Sequence, residues 1–312
     1  MSKKIPTALG YIDSEKMGIT SIHEHVMPNE HFELYKNDSI NFAVEELKKA
    51  KKLGLSTIVE VSPWRDAEIV RIIAERAEMN IILCTGYYTN FNAEEKTYSV
   101  DRFRKYMMDE IENGIGKSGI FPGVIKIASS DTVPNEYEKR ALIAAGMVQR
   151  DTGLPLCVHS CKGCKNQQDI FEEAGANLEK VYFSHVEAEF GWEGRSLAQQ
   201  INYLEEVVKK GSTLSYNNFG NWVHTGEEHL VDIIKELNLR GYAKNQAATM
   251  DFLWFYEDGN RKIVWENIIS NGSERTYSYL LKNAVPWLKA NGINEDYIDA
   301  FIVTNPRRIF SS

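Results

Sequence analysis

The stretch GITSIHEHVMPNEH, residues 18–31, decides the fold. Ile19, Ile22 and Val26 favour an extended segment, so His23 and His25 fall at i and i+2 of a strand and share a face. On a helix the same spacing would turn them well apart. Paired imidazoles suit a transition metal, although a His-x-His pair alone is equally compatible with a bare surface. The strand then runs into HVMPNEH, which contains no glycine. An open doubly wound sheet usually carries a Gly-rich phosphate loop after its first strand. Its absence favours a closed barrel.

Seven further apolar runs repeat the pattern: 56–63, 80–88, 123–129, 155–160, 181–187, 212–219 and 247–254. Between them lie amphipathic stretches such as 41–53, 67–79, 135–150 and 196–210, with apolar residues at helical spacing. Asp66 and Asn135 stand at N-cap positions, and Gly54 and Gly211 where a helix would end. Strand then helix, eight times, predicts parallel strands with crossover helices, and eight units predict a single (β/α)₈ TIM barrel over residues 1–312.

Composition narrows the function. The chain has 312 residues, 43% hydrophobic and 26% charged, with a net charge of −8. That balance argues against a nucleic-acid surface, while a local basic pocket could still take an anionic small molecule. No apolar run is long enough to span a membrane, and the start MSKKIPTALG lacks the apolar core of a secretory signal. Four cysteines do not make a disulfide scaffold at this length, and a cytoplasmic location is expected. CKGC at 161–164 has no second cysteine pair nearby and reads as incidental loop cysteines, with a regulatory disulfide as the alternative.

Barrel enzymes assemble their sites at the C-terminal ends of the strands. His23 and His25 end the first strand, His159 the fifth, His185 the sixth and Asp251 the eighth. Each histidine alone reads more simply as structural, but five metal-competent residues in one layer do not. Lys126, in GVIKIAS, occupies an inward-facing position of the fourth strand. A buried ammonium is costly, so Lys126 turns outward, forms an ion pair, or is chemically changed.

The chain resembles the phosphotriesterase-like branch of the amidohydrolase superfamily. The resemblance rests on IHEHV (22–26), VIKIA (124–128), VHS (158–160), SHVE (184–187), MDF (250–252) and VTNPRRIF (303–310). It implies a binuclear metal centre at the barrel mouth with two divalent ions, zinc first, manganese or cobalt as alternatives. His23, His25 and Asp251 would hold one ion and His159 and His185 the other, bridged by Lys126 as N6-carboxylysine. A metal-bridging hydroxide would attack the substrate, with Asp251 as catalytic proton shuttle. Glu24 would point away from the metals, in a supporting or packing role.

Within the family, the loops set the substrate. Tyr87, Tyr88, Lys162, Lys244 and Arg275 are the candidate substrate-binding residues, and they favour an anionic lactone of the pentonolactone 5-phosphate type. Asn217, Asn218 and Asn221 are further candidates for substrate hydroxyls. The alternatives are an N-acyl-homoserine lactonase, an organophosphate or aryl ester hydrolase, and a barrel that binds metal or ligand without turnover. Homodimers are common in the resembling family.

Overall fold

The structure is a computed structural model in which residues 3–28, 32–221, 225–263 and 275–311 are described. Eight parallel strands form a nearly closed barrel. They are β1 (Ile19–Glu24), β2 (Leu55–Glu60), β3 (Asn80–Gly86), β4 (Val124–Ala128), β5 (Leu156–His159), β6 (Val181–Ser184), β7 (Thr213–Tyr216) and β8 (Gln246–Ala248), hydrogen-bonded in sequence order. The seam between β8 and β1 is laced just past β8. Thr249 Oγ1 accepts from His23 N at 3.0 Å, and Asp251 N donates to His23 O at 3.0 Å.

Helices α1 (Lys36–Lys52), α2 (Ala67–Ala77), α3 (Val100–Asn113), α4 (Glu136–Thr152), α5 (Cys164–Glu173), α6 (Ala188–Glu193), α7 (Leu197–Lys209) and α8 (Glu227–Leu239) follow the strands. The expected caps are in place. Asp66 accepts from Glu68 N and Ile69 N, and Asn135 with Glu138 forms a reciprocal capping box. Gly54 and Gly211 lie one residue beyond the C-caps of α1 and α7, with φ of 110° and 104°.

Two apolar layers result. Outside the strands, residues such as Ile58, Ile81, Ile125, Val158 and Phe183 pack against the helices. Inside, Ile22, Val59, Cys84, Val124, Cys157, Tyr182 and Ala247 fill the barrel. The N-terminal end is plugged by Ile5, from a hairpin of Lys4–Thr7 and Gly10–Asp13, and by Ile309 and Phe310 of the last helix, Asn305–Ser311. That plug is the structural use of the VTNPRRIF tail. Because β4 is buried on both faces, period-2 alternation carries the interior position of Val124 on to Lys126.

Candidate metal centre and active site

Five of the six expected ligands come within 4 Å of another member of the set, and the sixth, His159, packs edge-on against His185. His25 Nε2 lies 3.1 Å from Asp251 Oδ1, His23 Nε2 lies 3.4 Å from the same oxygen, and His185 Nε2 lies 3.7 Å from Asp251 Oδ2. Lys126 Nζ is 3.3 Å from His23 Nε2. The rings of His159 and His185 are 4.5 Å apart. His23, His25 and Asp251 alone offer three ligand atoms all within 4.8 Å of one another.

The backbone is bent to achieve this. His185 and Asp251 have φ of 66° and 52°, a left-handed conformation that non-glycine residues adopt at a cost of about 1 kcal/mol or more. Surrounding contacts hold both turns. His185 N donates to Asn217 Oδ1 at 3.2 Å, and Asp251 is fixed through its own N–H to His23 O.

The electrostatics favour a cation. Burial keeps His23 and His159 well below the usual imidazole range and lowers His185 to about 4, so each ring is neutral and has a lone pair to give. Burial pushes Asp251 upward, but His185, His23 and His25 outweigh it and hold the carboxyl well below its ordinary value. His185 Nε2 is buried and has no hydrogen-bond partner among the described residues. Lys126 is 1% exposed, and among the described residues its amine meets His23 Nε2 and, at 3.8 Å, Cys157 Sγ, with no carboxylate in ion-pair range. A lone ammonium among imidazoles is unfavourable, whereas a carboxylated amine would add a second anionic oxygen donor beside Asp251. The donor set therefore fits divalent metal.

Residues not singled out in the sequence orient the ligands. Ser184 Oγ lies 2.6 Å from His23 Nδ1 and Ser62 Oγ 2.7 Å from His25 Nδ1, fixing each ring so that Nε2 faces the cluster. Trp64 stacks on His25 with ring centroids 5.8 Å apart. The available signal was position: Ser62, Trp64 and Ser184 all stand at strand ends, in VSPW and FSHVE. Glu24 points away from the ligands, as expected. Its carboxylate accepts from Ser21 Oγ, from Met250 N at 3.1 Å and from Phe252 N at 2.9 Å.

The expected substrate contacts separate sharply. Tyr88 reaches the site, its Oη 3.3 Å from His159 Nε2. Lys162 stays at the mouth, where Asp131 lies 3.5 Å from its amine. Tyr87 packs in an aromatic cluster with Phe91, Phe103 and Tyr106, and lines the cavity beside Tyr88. Lys244 sits in the turn before β8, at the opposite end of the barrel, where its carbonyl accepts from Arg308. The expectation placed it beside the metals, but it precedes β8, and the metal ligands stand at the C-terminal ends of the strands. Arg275 lies close to the site but is 3% exposed, and its guanidinium donates to the carbonyls of Phe219, Asn217, Met250 and Asp251. It ties together the turns after β7 and β8 and does not face a ligand. Asn217, Asn218 and Asn221 are buried, and Asn217 serves His185. His31 and His224 lie outside the described residues.

A model of the phosphotriesterase family matches residues 3–310. The chain belongs to the phosphotriesterase family. It is 26% identical over 340 residues to a phosphotriesterase homology protein of Mycobacterium tuberculosis, covering 98% of this chain and 97% of that one. It is 23% identical over 315 residues to an aryldialkylphosphatase of Saccharolobus solfataricus, covering 96% and 97%. An N-acetyltaurine hydrolase of Salmo salar is 25% identical over 360 residues, covering 99% and 98%. The solved structure of the phosphotriesterase from Mycobacterium tuberculosis superposes with a TM-score of 0.83 at 27% identity, covering 99% and 98%. The phosphotriesterase family is one of binuclear metal-dependent hydrolases, and this chain is a hydrolase of that family. Among the described residues, no helix is long and apolar enough to cross a membrane.

Proposed function

We propose that this phosphotriesterase-family hydrolase opens a lactone ring, and that the ring carries an anionic group of the pentonolactone 5-phosphate type. The observation that carries the reading is the convergence of His23, His25, Lys126, His185 and Asp251, with His159 edge-on to His185 beside them. His23, His25 and Asp251 would hold one divalent ion, zinc first, and His159 and His185 a second, with carboxylated Lys126 between them. Such ions lower the pKa of water toward neutrality and polarise an ester carbonyl.

The chain supplies the rest. Asp251, kept ionised by the surrounding histidines, takes the proton of the attacking water and returns it to the leaving ring oxygen. Tyr88, whose hydroxyl burial keeps protonated, is placed beside His159 to donate to the carbonyl oxygen as charge develops there. A cavity of about 270 Å³, lined among others by Trp64, Tyr88, Asn90 and Asn92, adjoins these groups and has the size for a small polar ring. Lys162, at the mouth and exposed enough to exchange Asp131 for a ligand, is the cation that favours an anionic substituent.

A second reading is an acyl amide with an anionic tail, favoured by the relatives named N-acetyltaurine hydrolase. A panel of sugar lactones with and without a 5-phosphate, N-acyl-homoserine lactones, N-acyl sulfonates and aryl phosphotriesters separates these readings. The proposal expects the highest kcat/KM on the phosphorylated lactone. A preference for any other class would replace it.

A further inference from the structure

Cys161 stands where the sequence gives no reason to expect a ligand. Its Sγ is 3.4 Å from Nε2 of His159, the nitrogen that Tyr88 also addresses. For zinc bonded to sulfur at about 2.3 Å and to an imidazole nitrogen at about 2.05 Å, a tetrahedral angle puts the two donors roughly 3.5 Å apart. The sulfur–nitrogen separation found here is that of two corners of one coordination sphere.

The turn bearing Cys161 is built to hold it. Ser160 N donates to Ser184 O at 3.1 Å, and Ser160 Oγ donates to the buried Glu189 carboxylate at 3.1 Å. Cys164 N donates to the same carboxylate at 2.8 Å. Gly163, at φ 74°, passes so close to the Thr132 carbonyl that a Cβ would collide with it. The neighbouring histidine of the cluster offers a second unpartnered donor. His185, 5% exposed and edge-on to His159, leaves its buried Nε2 without a hydrogen-bond partner among the described residues, 3.7 Å from Asp251 Oδ2.

We propose that Cys161 is a thiolate ligand of the outer metal ion, completing a sulfur-containing site with His159 and His185. This rests on the binuclear reading above. On binding, the S–H bond breaks, a sulfur–metal bond forms and the proton passes to solvent, with no change of oxidation state. A sulfur donor makes the outer site softer than the inner one. It should favour zinc, cobalt or cadmium over manganese and magnesium.

The test uses metal-stripped full-length protein titrated with cobalt(II) and followed by absorption spectroscopy. Visible d–d bands report occupancy of the histidine sites, and a near-ultraviolet sulfur-to-cobalt charge-transfer band reports the thiolate. Wild type should show both, the charge-transfer band growing with one of two equivalents. Cys161→Ser should keep the d–d bands, lose the charge-transfer band and bind that equivalent at least about 10-fold more weakly. Two bound cobalt ions with no charge-transfer band, or a band that survives Cys161→Ser, would overturn the thiolate ligand and leave the binuclear centre standing. Failure to bind cobalt at all would overturn both.

Discussion

Glu24 accepts the backbone N–H of Phe252 at 2.9 Å, across the seam that closes the barrel. The residue between His23 and His25 thus places the residue next to Asp251. Burial raises this carboxyl to about 7, against which the hydrogen bonds from Ser21, Phe252 and Met250 act. Removing the carboxylate should loosen the segment that presents Asp251. Glu24→Ala is expected to lower metal affinity by about 10–100-fold, as for other residues that orient ligands. Metal retention on dialysis against a graded chelator checks this, with Glu24→Gln expected to fall between. Wild-type retention in Glu24→Ala would show that Asp251 is positioned without it.

Lys126→Ala should lose bound metal and activity together, because it removes the group proposed to bridge the two ions. Short carboxylic acids added with excess metal should restore part of both. Metal content and rate equal to wild type would rule out a bridging role.

The legible part of this molecule followed from periodicity. Eight strand–helix units, the Asp66 and Asn135 caps and the interior position of Lys126 follow from spacing that a parallel sheet, covered on both faces, imposes on sequence. The histidines were legible because four of them stand at strand ends. The cations were not. Charge type does not say that Lys244, read just ahead of the last strand, lies at the end of the barrel away from the metals. Nor does it say that Arg275 finds four backbone carbonyls. Those partners come from turns about 25 and 55 residues away in sequence, with no local pattern to announce them.

Arg275→Met should therefore act on stability. Charge-assisted hydrogen bonds contribute about 1.5–3 kcal/mol each, and four carbonyls would be left buried and unpaired. A markedly lowered thermal midpoint is expected, with metal lost and every substrate affected alike. An unchanged midpoint with a selective loss on phosphorylated lactone would instead return Arg275 to substrate binding.

Lys162→Ala should act on substrate and leave stability alone. Its partly exposed contact with Asp131 contributes little, while a phosphate contact at the mouth would be worth about 1–2 kcal/mol. The expected loss in kcat/KM is roughly 5–30-fold on a phosphorylated lactone and negligible on its neutral analogue. Lys244→Ala, altered at the far end of the barrel, should change neither. Equal losses on both substrates would remove Lys162 from the binding site.

Asp251→Asn should lower kcat by at least about 10²-fold, the range typical of a general acid–base group. The asparagine keeps the shape that meets His25 but cannot take a proton. An unchanged kcat and pH–rate profile would exclude Asp251 as the proton shuttle.

The central claim is that the residues gathered around Asp251 hold two metal ions that open a lactone. It is tested most directly by titrating metal-stripped protein with zinc while measuring hydrolysis of a sugar lactone 5-phosphate. Activity should be absent without metal, rise to a plateau at two equivalents per chain and disappear again with chelator. Lactone hydrolysis that persists in metal-free protein, or a fully loaded protein inert toward every lactone, would contradict it.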